Sequence, residues 1–334
     1  MKHSQRPTHA VPTLLRRINE RRVLEMLIHY GPLSRADLTR LTGISAPTIS
    51  KAVASLTAAE LLEERNAHGN KTGRPARLYS LAAQTVQMLG LAIEPTRATL
   101  VAGGIDCRIH PHRQITFDLP DSYDRLLDLL AEHAATLLSQ SDARPLGLGV
   151  SVPVMLNPQI APVLQAESIP LLNGRPLAED LYRRLHLHTL VMTQAHALCL
   201  AQRLAFLDDA PLDDFVLVDA TTPMALGIVL SGQLFTGAHG RAGVLPDITR
   251  HEDLATVVAC AVNRYDPRAV FVHAAPPLDN PLPQWLLDQI AARTLPESFN
   301  DCRIAPATAN LYQAPLAAYL DHLIDSLAPL QHNE

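Results

Sequence analysis

The residues of this chain best suited to chemistry by type and spacing are not acids or nucleophiles. They are the small, hydroxyl-bearing and cationic side chains of ISAPTISKAVASL, residues 44–56. Ile49, Val53 and Leu56 recur at helical spacing and turn one side of that stretch inward. Ala46, Thr48, Ser50 and Lys51 are left near or on the outer side, with Ser45 at the helix start. Such a face can enter a DNA major groove without an anionic clash. A second set lies in NAHGNKTGRP, residues 66–75, a Gly-, Asn- and Pro-rich tip carrying Lys71 and Arg74. Gly73 and Pro75 let an extended backbone lie flat, and Arg74 between them can enter a narrow A·T-rich minor groove. The plain alternative for Arg74 is a solvated loop cation.

These residues need elements to position them, and residues 33–56 supply two short helices joined by a tight turn. Ser34 is placed to cap the first, with Asp37 as the return partner of a capping box and Leu33 and Leu38 as a hydrophobic staple. Gly43 suits the left-handed residue that ends a helix. Ser45 is placed to cap the second helix, and Ile44 with Ile49 repeats the staple. Ahead of them, Leu14 to Tyr30 reads as a helix with Ile18, Leu24, Leu27 and Ile28 on its apolar side and Arg16, Arg17, Arg21 and Arg22 on the rest. Leu61–Arg65 and Ala76–Leu81 read as the strands of a hairpin around the tip. A three-helix core followed by such a wing predicts a winged helix-turn-helix over residues 1–82, with double-stranded DNA as its partner.

Composition narrows the rest. At 334 residues, 47% hydrophobic and 18% charged, the chain has enough apolar material for two or three globular domains. No apolar run is long enough to span a membrane, and the start, MKHSQRPTHA, lacks a signal-peptide core, so a cytoplasmic location and no membrane partner are expected. Cys107, Cys199, Cys260 and Cys302 lie far apart with no CxxC pair, which predicts reduced thiols and no zinc motif. Residues 1–80 hold 13 Lys+Arg and 6 Asp+Glu, a balance of 13 − 6 = +7, and the remainder holds 15 and 27, or 15 − 27 = −12. A basic block on an acidic body points to a polyanion partner for the first block alone.

From Leu89 the pattern changes to alternating strands and helices, so the fold class is α/β. LGLAIEPTRATLVAGG reads as a hairpin, Asp124–Leu138 as a helix, LGLGVSVPV as a buried strand, and Leu177–Leu185 as amphipathic. Thr189–Met192 is a strand, Ala195–Phe206 a helix, and Phe215–Val218 with Gly227–Leu230 a strand pair. Helices over Leu254–Val262, Pro283–Leu295 and Gln313–Leu327 alternate with strands over Ala269–His273 and Arg303–Ala305.

With these segments in view, the chain resembles the ROK-family transcriptional repressors. ISAPTISKAVASL followed by TGRPAR is similar to their DNA-binding end, LGLGVSVPV with Asn157 resembles their GxGxxxPG segment, and LSGQLFTGAHGRAG and YDPRAVFV resemble later body motifs. The resemblance implies an actin-like, sugar-kinase-type body of two subdomains over residues 83–334. It also implies homodimers or tetramers, and a cleft where repressors sense a sugar or sugar phosphate and kinases phosphorylate a hexose with ATP.

Departures from the family pattern alter that expectation. The first phosphate loop, DxGxT, aligns with Ala92-Ile93-Glu94-Pro95-Thr96, and Glu94 would repel phosphate. The second, GTGxGGG, aligns with residues 220–227, where only Gly227 survives, so backbone amides cannot close on phosphates. The family's Asn-Asp pair falls on Thr193-Gln194, and Gln194 cannot take a hydroxyl proton. The Glu and His that hold sugar and zinc align with Val244 and Asp247, and ITRHEDLATVVAC replaces the cysteine-rich zinc motif; a solvated run is the reading for His251, Glu252 and Asp253. No catalytic residue, cofactor or metal is therefore expected. Thr193, Gln194, His196, Arg241 and Asp247 are the candidates for lining the altered cleft, with a collapsed, ligandless remnant as the alternative. The reading is a DNA-binding regulator, in the first instance a repressor, with an optional small effector; a divergent sugar kinase, or a constitutive DNA binder whose body recruits a protein, stays open.

Overall fold

The computed structural model describes residues 10–66, 77–153, 155–157, 163–165, 168–205, 212–221, 224–245 and 252–327. They fall into two compact units. The first draws on Met1–Val86, Gly104–Asp106 and Leu320–Glu334, and the second on Gln87–Gly103 and Cys107–Tyr319.

The first unit opens with α1 (Ala10–Tyr30), β1 (Leu33–Ser34), α2 (Arg35–Thr42), α3 (Ala46–Ala58), β2 (Leu62–Asn66) and β3 (Arg77–Leu81). The strands form an antiparallel sheet in the order β1-β3-β2, with Leu33 opposite Tyr79 and Leu62 opposite Leu81. Leu24 and Leu27 of α1, Leu38 of α2, Ile49, Val53 and Leu56 of α3, and Tyr79 of β3 make its core. The apolar spacing read from the sequence selects these inward faces, except that Ile18, expected on the apolar side of α1, is exposed and Ile28 only half-buried. The capping box forms: the Asp37 amide donates to Ser34 Oγ at 3.2 Å, and the Ser34 amide donates to the Asp37 carboxylate at 3.3 Å. The Ser34 hydroxyl also donates to the Asp37 carboxylate at 2.7 Å, and the bonds from this hydroxyl and the Ser34 amide hold the Asp37 carboxyl below its ordinary value. Gly43 ends α2 at φ 69°, where a side chain would be strained. One expected cap differs. Ser45 stands at the N-cap of α3, but its hydroxyl bonds the Thr48 hydroxyl at 2.9 Å and caps no backbone amide.

The second unit is built from two five-stranded sheets of the same plan. The first contains β4 (Val86–Ile93), β5 (Arg97–Gly103) and β6 (Ile109–Asp118), then α4 (Tyr123–Leu138) and β7 (Arg144–Val152). A small pair, β8 (Met155–Asn157) and β9 (Val163–Gln165), precedes α5 (Leu177–Leu185) and β10 (Thr189–Thr193). After α6 (Gln194–Ala205) the second sheet follows with β11 (Phe215–Asp219), β12 (Ala225–Leu230), β13 (Gln233–Leu234), α7 (Glu252–Tyr265), β14 (Ala269–His273), α8 (Gln284–Ala291), α9 (Pro296–Asp301) and β15 (Arg303–Pro306). The orders are β6-β5-β4-β7-β10 and β13-β12-β11-β14-β15. Each sheet is therefore an antiparallel three-strand meander extended by two strands on the same side, the second pair parallel to each other. Leu126, Leu130 and Leu137 of α4 and Leu181 of α5 cover the first sheet. Val258 and Val262 of α7 with Leu286 and Ile290 of α8 cover the second.

Two further helices matter for position. The helix α6 leaves β10 in one sheet and packs on β11 and β12 of the other. Gly227 makes that approach possible, since a Cβ there would stand 2.5 Å from the Ala195 carbonyl. The last helix, α10 (Ala314–Ser326), begins in the second unit, where the Tyr319 hydroxyl donates to the Leu146 carbonyl at 2.8 Å. Its final turns belong to the first unit. There Arg21 of α1 pairs with Asp321 at 2.7 Å, and Arg16 donates to the Leu327 carbonyl. Arginines of α1 form ion pairs, Arg16 with Glu20, Arg21 with Asp321 and Asp325, and Arg22 with Glu25. Cys107, Cys199 and Cys302 are buried and Cys260 is exposed. No helix among the described residues is long and apolar enough to cross a membrane.

Candidate functional site

Two places follow from the residues singled out in the sequence. The first is the outer face of α3. The turn at Gly43 and the buried Ile49, Val53 and Leu56 fix which way this helix faces. Ser45, Ala46 and Lys51 are exposed, and Thr48 and Ser50 are half-buried. Five of the seven residues proposed to meet DNA are thus gathered at the start of one helix. Lys71 and Arg74 lie outside the described residues. Three exposed positions on the same face, Pro47, Ala54 and Ala58, were not among those expected. Projecting the buried positions through the helix axis would have found them, since all three fall opposite Leu56 and its neighbours. No Asp or Glu occurs from Leu38 to Ala59, so the face carries no carboxylate and one cation, Lys51.

The second place is the junction of β10 and α6. Thr193 ends β10, half-buried, and Gln194 begins α6, buried. The Gln194 amide donates to a carboxylate oxygen of Asp219 at 2.8 Å and to the Thr221 hydroxyl at 3.0 Å. Thr221 in turn donates its hydroxyl to the other Asp219 oxygen at 2.8 Å and its backbone amide to the same oxygen at 3.2 Å. These three residues close a ring of hydrogen bonds between the end of one sheet and the end of the other. Asp219 is only 1% exposed, and burial pushes its carboxyl above the ordinary range, opposed chiefly by nearby His273 on the paired strand β14. His196, two positions further into α6, donates its Nε2–H to the Ala242 carbonyl at 3.1 Å. Burial holds its imidazole below the usual histidine value, so it is neutral near pH 7. That bond draws the turn holding Arg241, itself exposed, to α6. Thr193, Gln194, His196 and Arg241 are therefore brought to one region, while Asp247 lies outside the described residues. Asp219 was missed; the signal was an acid closing the otherwise apolar strand FVLVD. An amide donor stands where a proton-accepting carboxylate was looked for, and the nearby carboxylate is already bonded on both oxygens. Among the described residues no group of three His, Cys, Asp or Glu could hold a metal ion.

Comparison with known proteins agrees with this division. The MarR family model matches residues 15–70, and the ROK family model matches residues 89–264, more than half of the chain. The xylose repressor of Caldicellulosiruptor bescii is 21% identical over 234 residues, 69% of this chain and 58% of that protein. The chain therefore spans less than two thirds of that relative's length. Among solved structures, a ROK-family transcriptional regulator described as a homolog of the Escherichia coli Mlc protein superposes with a TM-score of 0.68 at 18% identity, over 94% of this chain and 98% of the other. A ROK hexokinase from Thermus thermophilus superposes on 71% of this chain and 99% of its own, with a TM-score of 0.55 and 16% identity. At such identities these structures establish the fold alone: a winged helix-turn-helix followed by a sugar-kinase-like α/β body.

Proposed function

Since the chain belongs to the ROK family and carries a MarR-type helix-turn-helix ahead of its ROK body, we propose that it is a sequence-specific DNA-binding repressor rather than a sugar kinase. The first unit meets operator DNA through α3 and the wing that joins β2 to β3. Ser45, Ala46, Thr48, Ser50 and Lys51 face the major groove, and Lys71 and Arg74 serve the wing. The body forms a homodimer or tetramer, so operator half-sites are spaced by that symmetry. A small effector, a sugar or sugar phosphate in the first instance, binds near Thr193, Gln194, His196, Arg241 and Asp247. It can shift DNA affinity only as far as its affinities for two states of the body differ.

The observation that supports repressor over kinase is the bond from Gln194 to Asp219. Phosphoryl transfer to a hydroxyl needs a carboxylate free to accept a proton. Gln194 has no such group, and Asp219 is buried with both carboxylate oxygens engaged by Gln194 and Thr221. Selection of bound sequences from random duplex DNA by the full-length protein, with and without a panel of sugars and sugar phosphates, tests the reading. Recovery of an inverted repeat supports it, and a compound that abolishes recovery names the effector class. ATP-dependent phosphorylation of any hexose, with no sequence enriched, would replace it with the enzyme.

A further inference from the structure

We infer that α3 identifies its operator by the methyl groups of thymine. The inference rests on the DNA-binding reading above, and on which side chains occupy the middle of the exposed helix face. With Ile49, Val53 and Leu56 buried, the opposite ridge of a 3.6-residue helix runs through Pro47, Lys51 and Ala54, all exposed, with Ser50 half-buried beside it. Positions 47, 51 and 54 are spaced as i, i+4 and i+7, so they form one line along the groove-facing side.

The line carries one hydrogen-bonding side chain, Lys51, and none of the guanidinium, amide or carboxylate groups that read base edges. No Arg, Asn, Gln, Asp or Glu occurs in α3, so its polar groups able to reach a base are Lys51 and the hydroxyls of Thr48, Ser50 and their neighbours. Thr48, which does carry a hydroxyl, lies to one side and shares it with Ser45 at 2.9 Å. The ridge instead presents the pyrrolidine ring of Pro47 and the methyl of Ala54, one turn either side of the Lys51 stem. A DNA major groove exposes one apolar group, the C5-methyl of thymine. Packing it against Pro47 and Ala54 removes both surfaces from water and leaves no polar group without a partner. Lys51, between them, supplies attraction to the phosphate backbone. The small residues do not by themselves make this a binding face; the helix-turn-helix geometry and the family match over residues 15–70 do that. What the ridge residues settle is the kind of base feature such a face can recognise.

The test replaces thymine by deoxyuridine, one position at a time, in a duplex that the full-length protein enriches from a random pool. Uracil keeps the hydrogen-bonding edge and the minor-groove surface of thymine and lacks only the methyl, so an A·T preference of the wing is unaffected. The expected result is a loss of roughly three- to five-fold in affinity for each contacted methyl, at one or two positions per half-site. Ala54→Gly should bring the thymine-to-uracil ratio at one of those positions close to one without changing the salt slope. Should that variant fold poorly, the uracil scan with the native protein decides alone. Equal affinity for the parent and every uracil-substituted duplex would overturn methyl recognition and leave DNA binding standing. Failure to enrich any duplex would overturn the DNA-binding reading, and this inference with it.

Discussion

Gln194 and Asp219 are held 2.8 Å apart by a single amide-to-carboxylate hydrogen bond that ties the start of α6 to the end of β11. The bond works because one partner is a neutral donor and the other an acceptor. Restoring an acid by Gln194→Asp would place two carboxyl groups side by side where both positions are buried. One of them would have to stay protonated. The expected outcome is a loss of about 2–3 kcal/mol of stability at pH 7, and less at pH 5, without gain of kinase activity. Urea denaturation at the two pH values checks this; equal stability of variant and native protein at pH 7 would remove the ring from the account of the body.

His196 gives a pH dependence of opposite sense. Burial lowers its folded value below the usual 6.5, so the folded state binds fewer protons than the unfolded chain in that range. The stability it contributes is present above pH 6.5 and is lost as pH falls through the lowered value. Melting curves between pH 8 and pH 5 should show a steeper decline for the native protein than for His196→Gln. Parallel curves would mean that His196 titrates normally.

The capping box at the entry to α2 should respond to one hydroxyl. Ser34→Ala leaves the Asp37 amide without its acceptor, and the expected cost is about 1 kcal/mol. It should appear in the unfolding of the first unit, followed by hydrogen exchange in α2, while amides of the second unit keep their protection. Uniform loss of protection across both units would show that the cap acts on more than α2.

Lys51→Ala tests the cation on α3. If Lys51 neutralises a phosphate, binding to the selected duplex weakens and the slope of log affinity against log salt falls by about 1. An unchanged slope would take Lys51 off the backbone and leave it a base contact or none.

Arg21 and Asp321 are each mostly buried, at 11% and 15% side-chain exposure, so their pair is screened less than a surface one. A double-mutant cycle with Arg21→Ala and Asp321→Ala should give a coupling of about 1–2 kcal/mol. A coupling near zero would mean that the end of α10 adds packing but no specific tie to α1.

Much of this was legible because it is local. The box at Ser34 and Asp37, the left-handed Gly43 and the buried spacing of Ile49, Val53 and Leu56 all lie within one or two helical turns, where sequence order nearly equals neighbourhood. Even there a local competition went unread: the Ser45 hydroxyl bonds the Thr48 hydroxyl instead of accepting from a backbone amide. Periodicity alone assigns nothing to residues 109–118, because Pro111 and Arg113 interrupt it. Pro111 is tolerated in β6 because that strand forms the edge of its sheet, and Arg113 is buried with its guanidinium donating to the Leu137 carbonyl. The ring at Gln194 could not be seen for a different reason. Asp219 and Thr221 are remote in sequence, and only the packing of α6 on β11 brings them to the amide. Pairs such as Arg21 with Asp321 carry no sequence signal at all, since a surface aspartate on a late helix looks solvated until α1 is placed beside it.

The sharing of α10 between the two units has a consequence for synthesis. Arg16 and the Leu327 carbonyl that it binds are separated by 311 positions. As the chain leaves the ribosome from its N-terminus, α1, α2 and α3 emerge first and can fold, while the helix that completes their unit is still untranslated. The first unit is finished only after the whole second unit has been made. A chain cut short by a damaged message would carry α3 without the final support of its unit, so production of a fully formed first unit is timed by completion of the body.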